Sequence, residues 1–172
     1  MPLSIKTTYV CGLLSLALLF VAAPRLHAQR PASEVILSSA SKSDLTTPDV
    51  SIPLKQRTAG SLRQQLEAIH SNRRLYLRLS NLQAPRQPGV LYAIYLEPLG
   101  TTTKSDAARL GYLNFFAVSA GAKGNPLTFE ASEVVRALLD AKPELSGLQV
   151  SIVPGGQPQS VPSIGSIELI AY

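Results

Sequence analysis

From Leu75 the chain takes up a period of two. Leu75, Leu77 and Leu79 share one face, opposite Tyr76, Arg78 and Ser80, which is the pattern of a half-buried strand. Five further short segments follow, Leu91 to Glu97, Arg109 to Ala117, Phe129 to Leu138, Leu148 to Pro154 and Ile164 to Ala171, with Pro, Gly, Ser and Thr between them. Val90 to Leu96 is apolar on both faces, as a strand covered on both sides must be. Many short strands with turn signals between them can bury their apolar faces only by packing sheet on sheet or by closing a sheet on itself. The expected fold is therefore mainly β: a single β-sandwich or jelly-roll-like barrel with one or two short helices.

Both helices can be placed. Ser61-Leu62-Arg63-Gln64 has the form of a capping box, and Leu62, Leu66 and Ile69 follow at helical spacing, which predicts a short helix ending near His70. Ser132 is expected to cap a second helix carrying Val134, Val135, Leu138 and Leu139, stopped by Pro143. Val50 to Leu54 alternates like a strand, but Pro53 demotes it to an edge at best. A strand is expected over Leu110 to Val118. Within it the adjacent Phe115 and Phe116 should face opposite ways, because neighbouring strand side chains alternate.

The N-terminal region divides from the rest by composition. Lys6, an apolar run from Val10 to Ala23 and small-residue cleavage chemistry near Leu26-His27-Ala28 read as a secretory signal over residues 1–28. The run is about 14 residues, against about 20 for a membrane span. Cys11 sits inside it, which argues against a lipoprotein. Residues 29–48, rich in Ser, Thr, Ala and Pro, read as a flexible leader with room for a short strand at Val35-Ile36-Leu37. Residues 49–172 form one β domain with no linker to split them. The expected location is secreted or periplasmic, with no membrane association after cleavage.

Composition limits the chemistry. Lys and Arg number 16 against 11 acids; cleavage removes Lys6 and Arg25, so 14 basic groups remain and the mature charge falls to +3. So small an excess on an exported chain speaks against nucleic acid as a partner. The chain has one Cys and one Met, Cys11 and Met1, both within residues 1–28, so no disulfide is expected. Of two histidines only His70 lies beyond residue 28. A position near a helix C-terminus explains it better than catalysis does. No Gly-x-Ser-x-Gly elbow is present. Glu97, Glu130, Glu133 and Glu168 lie on or beside predicted elements, where acids ordinarily serve solubility. The densest basic cluster is Arg73, Arg74, Arg78 and Arg86, either a solvated face or a rim that docks an acidic partner.

The six segments read LYLRLSNL, LYAIYLE, RLGYLNFFA, FEASEVVRAL, LQVSIVP and IGSIELIA. In kind and in order they resemble the C-terminal domain of tyrosinases and polyphenol oxidases, the β-rich domain that follows the copper-binding core. The likeness covers about residues 73 to 172. Departures from the family pattern fall at Ala93, Glu97, Ala131, Ser132 and Ser166 and leave the strand periodicity intact. No copper-binding core stands before these segments, so the resemblance is to a domain without its enzyme. A type 3 copper pair needs two sets of three histidines, and one imidazole cannot supply them. With no thiolate or thioether beyond residue 28, delivery of cuprous ion is disfavoured as well. The chain is thus expected to be no enzyme and to bind no cofactor or metal.

In full-length members of that family the domain covers the entrance to the copper site. The resemblance therefore implies an exported, non-catalytic module that binds or shields a separately encoded copper oxidase of the tyrosinase type, with Arg73, Arg74, Arg78 and Arg86 as candidate partner-binding residues. The alternative is a free-standing binding or structural module of the cell envelope, with a glycan or a protein as its ligand.

Overall fold

The predicted strands and helices are realised in a computed structural model that describes residues 33–46, 48–116, 118 and 124–172. The expected signal peptide, residues 1–28, lies outside the described residues. In chain order the elements are β1 (Glu34–Ser39), β2 (Ser43–Asp44), β3 (Val50–Gln56), α1 (Leu62–His70), β4 (Leu75–Ser80), β5 (Tyr92–Pro98), β6 (Arg109–Leu113), β7 (Leu127–Glu130), α2 (Ser132–Ala141), β8 (Leu148–Pro154), β9 (Ser163–Ile164) and β10 (Ser166–Ala171), with a 3-10 turn at Asp106–Ala108.

Eight strands form one antiparallel sheet in the order β6-β5-β8-β3-β1-β10-β4-β7, and β2 pairs with β9 in a small second sheet. The large sheet curls into a nearly closed barrel, so the mainly β expectation holds. Its interior is filled from alternate positions. Leu77 lies opposite Leu169, Leu79 opposite Ile167, Ile94 opposite Ile152 and Leu96 opposite Val150, all of them buried. Such cross-strand apolar pairs fix the register, because a slip of one residue would turn the whole set to the outside.

Three elements differ from expectation. Glu34–Ser39, where the leader leaves room for a short strand at Val35-Ile36-Leu37, is a full six-residue strand held between β10 and β3. A register shift between Val35 and Leu37 allows the neighbouring Ile36 and Leu37 both to be buried, as a bulge does. β3 is an inner strand rather than an edge. Pro53 is tolerated because β1 meets β3 only at Lys55 and Gln56, so at Pro53 the ladder runs to β8 alone. β6 stops at Leu113, which leaves Phe115 and Phe116 beyond the strand; they still diverge, Phe115 buried edge-on against Tyr92 and Phe116 exposed.

The helices join β3 to β4 and β7 to β8, and they pack on each other. α1 forms as predicted, with the Ser61 hydroxyl accepting from the Gln64 amide. α2 is capped otherwise than expected. Ala131 holds the cap position, Ser132 is the first helical residue, and the Glu130 carboxylate accepts from the Ser132 amide. The Ser132 hydroxyl instead accepts from the Leu75 amide and ties the helix to β4. At the other end of α2, Arg63 of α1 donates to the carbonyls of Leu139 at 2.7 Å and Lys142 at 3.2 Å. It thereby satisfies acceptors that a helix C-terminus leaves open.

Candidate functional site

The outward face of the β5-β8-β3 segment of the barrel carries a buried polar group of residues. In β8 Leu148, Val150 and Ile152 point inward, yet Gln149 and Ser151, which point outward, are buried as well. The cover is the β5–β6 connection, residues 99–108, folded back over the sheet. Gln149 clamps its start: the Gly100 amide donates to Gln149 Oε1 at 2.9 Å, and Gln149 Nε2 donates to the Thr101 carbonyl at 2.7 Å. The left-handed conformation of Gly100 (φ +85°) makes that turn available. Rich in Gly, Ser and Thr, this connection has the composition of a loose loop. A buried amide paired on both its oxygen and its nitrogen makes it a fixed strap.

Lys104 anchors the far part of the strap. Its Nζ donates to Glu97 Oε2 at 3.1 Å and to Ser151 Oγ at 2.9 Å, and it stands 3.8 Å from Asp49 Oδ2. Ser151 Oγ donates to Glu97 Oε2 at 2.7 Å, so Ser51, 2.9 Å away, supplies the proton of the Ser51–Ser151 bond. Glu97 is 1% exposed, and its other carboxylate oxygen, Oε1, is buried with no hydrogen-bond partner among the described residues. The acid expected to solubilise a strand surface is therefore an internal charge. Its signal in the sequence was faint: an acid ending an apolar strand, with a lysine seven residues on.

A serine touching a lysine invites a nucleophilic reading, which the geometry opposes. Ser151 is fully buried within the sheet, its proton is directed at a carboxylate, and the lysine is engaged by acids. A nucleophile needs a free base and access for substrate. The cluster holds the strap.

The four arginines do not form one rim. Arg78 donates through Nε and Nη2 to Glu168 Oε2 at 2.9 and 2.6 Å, across the β4–β10 ladder where the two residues are register partners. Arg73 pairs with Glu34 at 2.5 Å and donates to the Ala171 carbonyl at 2.6 Å. Arg74 and Arg86 are exposed, but Arg74 precedes β4 whereas Arg86 follows it, on the segment joined to the β9 region through Gln83 and Ser163. A six-residue strand of about 20 Å separates the two ends. Glu130 and Glu168 are likewise committed, to the α2 cap and to Arg78, and Glu133 pairs with Arg136.

His70 closes α1, as expected of a histidine near a helix C-terminus. It borders a cleft of ≈ 420 Å³ with Arg73, Arg74, Glu130, Ser132 and Glu133, and its Nδ1 is buried with no hydrogen-bond partner among the described residues. Among the described residues no group of three or more His, Cys, Asp or Glu could hold a metal ion. No helix among them is long and apolar enough to cross a membrane.

Exposed apolar side chains border the place where the barrel fails to close. β6 and β7, the two ends of the eight-stranded order, lie side by side along a cleft of ≈ 350 Å³ bordered by Tyr112, Val118, Leu127 and Phe129. Tyr112 is 55% exposed and Leu127 37%; Phe116, four residues beyond Tyr112, is 69% exposed. Large aromatic groups left in water beside an apolar cleft mark a contact surface more often than a bare exterior.

Among solved structures, the chain is similar to three structures of two latent polyphenol oxidases. Recombinantly expressed latent aurone synthase co-crystallised with hexatungstotellurate(VI) is 15% identical, with a TM-score of 0.48 over 72% of this chain and 24% of that one. The same protein after an H2O2 soak gives 14% identity and 0.49 over 75% and 25%. Latent apple tyrosinase gives 12% and 0.45 over 78% and 27%. The similar structures are polyphenol oxidases. This chain spans about a quarter of their length. No protein-family model matches it, and no curated protein does.

Proposed function

We propose that this chain is an exported, non-catalytic module that binds or shields a separately encoded copper oxidase of the tyrosinase type. The observation that carries the reading is the exposed apolar surface at the β6–β7 seam, where Tyr112 and Leu127 border an open cleft and Phe116 is exposed shortly after β6. The sequence supports it with the ordered run of six segments, five of which hold a strand while the fourth holds the end of β7 and most of α2, and with the signal-like residues 1–28. The internal state of the polar groups points the same way. Glu97, Lys104 and Ser151 hold a strap, and Arg73 and Arg78 are paired with acids, so these polar groups are engaged inside the chain.

The test is co-purification of the tagged chain with a copper oxidase from the source organism. Retention at micromolar concentration is expected, and it should be lost when Tyr112 and Phe116 are both replaced by Ser. Absence of retention, or retention unaffected by the double change, overturns the reading. In parallel, catechol oxidation by the chain with added copper should show no turnover. Measurable turnover would make the chain an enzyme and end the proposal.

A further inference from the structure

The polar group beneath the strap joins residues from four parts of the chain. Asp49 stands directly before β3, Glu97 lies near the end of β5, Ser151 is in the middle of β8, and Lys104 comes from the strap folded over them. β8 runs between β5 and β3, so the two acids meet Lys104 from strands on either side of it.

The acids are placed differently about the amine. Buried Glu97 accepts through Oε2 from Lys104 Nζ at 3.1 Å and from Ser151 Oγ at 2.7 Å. An oxygen held on an N–H bond is where a proton leaves the nitrogen. Asp49 Oδ2 stands 3.8 Å from the same nitrogen, beyond hydrogen-bond distance, on an exposed side chain. Its carboxyl group is free to turn, and a small rotation brings its carbon to the range of about 3–3.5 Å from which a nucleophile attacks. An amine, an acid carbon and a fixed carboxylate that can carry protons are the parts of an amide-forming centre. The electrophile belongs to the chain, so the access for substrate that a buried serine lacks is not needed here.

We propose that Lys104 and Asp49 join in an isopeptide bond, formed once per chain after folding, with Glu97 as the proton carrier. Glu97 takes a proton from the Lys104 ammonium, and the nitrogen lone pair forms a bond to Asp49 Cγ. A second proton leaves the nitrogen by the same route. Both protons end on one Asp49 oxygen, its bond to Cγ breaks, and water departs on the exposed side of Asp49. Ammonium and carboxylate thus give an amide and one water, and Glu97 returns to its carboxylate. The bond staples the strap to the start of β3, in a chain whose single Cys, Cys11, has no second thiol for a disulfide. A cross-link between residues so far apart in sequence restricts the unfolded chain as a disulfide would.

Mass spectrometry of the full chain, folded at neutral pH and then denatured, tests this. The mass should fall short of that of its sequence by one water, and fragmentation should place the link between Asp49 and Lys104. Lys104→Arg and Asp49→Ala should each restore the full mass. Asp49 is exposed ahead of β3, so its replacement leaves the buried group in place and keeps the test decisive if another variant fails to fold. Glu97→Gln retains both reactants and should slow the linkage by about a hundredfold or more, the usual effect of a positioned acid or base. Full mass in the unchanged chain, loss of water without a linked peptide, a link at other residues, a deficit that survives Asp49→Ala, or linkage at an unchanged rate in Glu97→Gln would each overturn the proposal.

Discussion

Phe129 of β7 lays its ring against Gly111 of β6, so close that a Cβ on the glycine would stand 3.0 Å from Phe129 Cδ1 and 3.2 Å from Cε1. This contact bridges the two ends of the eight-stranded sheet, where no ladder of hydrogen bonds joins them. An aromatic ring packed over a strand glycine covers backbone that would otherwise be open to water. It draws the barrel nearly shut with a side chain in place of a strand pairing.

Gly111→Ala should therefore destabilise the protein by about 1–3 kcal/mol, because the ring must shift out of a packed position. The relief of that clash by Phe129→Leu in the same chain is the check. Urea unfolding of the double variant should give a smaller loss than the sum of the two single changes, since residues in contact are not additive.

Lys104→Met leaves Glu97 buried with no cation bonded to it. The expected loss is about 3 kcal/mol, the range for one partner removed from a buried pair. Glu97→Gln added to Lys104→Met should recover part of it by removing the stranded charge. Hydrogen exchange at the Gly100 amide, bonded to Gln149, reports whether the strap has opened.

Arg63→Ala removes two donors from the carbonyl end of α2 together with the ion pair to Glu67. A loss of about 1–2 kcal/mol is expected, mostly from the charge-assisted bonds, since an exposed i,i+4 pair adds only a few tenths. Thermal unfolding measures it, and Glu67→Ala alone should change little.

Tyr92 buries its hydroxyl among apolar groups with no hydrogen-bond partner among the described residues, and desolvation raises its pKa above the ordinary value of 10.0. The folded state therefore keeps the phenol proton at pH values where the unfolded chain releases it. Stability from this group is complete below the unfolded pKa and falls as pH rises from there toward the folded pKa. Tyr92→Phe should remove that alkaline loss. At neutral pH it should leave stability equal or higher, by about 1 kcal/mol at most, since no hydrogen bond is sacrificed. Unfolding curves at neutral pH and above pH 10 check both parts.

The strands of the second half were legible because each carries its own period. Leu75, Leu77 and Leu79 declare a buried face with no reference to the rest of the chain, and β4, β5, β8 and β10 fall close to where the pattern put them. α1 was legible for the same reason, its cap and its apolar stripe being local. Elements whose state depends on distant partners were read only in part. β1 has only six residues and gains its place from β3 and β10, both later in the chain and the second more than a hundred residues on. Pro53 signalled an edge, and the sheet took it inside by withholding the second neighbour at that one residue.

The candidate sites divide along the same line. Composition alone removed copper-ligand sets from the chain beyond residue 28, because His, Cys and Met can be counted without knowing where they sit. Clustering in sequence suggested four arginines as one surface, and β4 separates them while cross-strand acids neutralise two. Glu97, Lys104 and Ser151 lie on three different segments, so no motif could announce them. Only the closure of β5 against β8 beneath a folded-back strap puts them within bonding distance, since burial of a polar group is a property of what covers it and not of its neighbours in the chain.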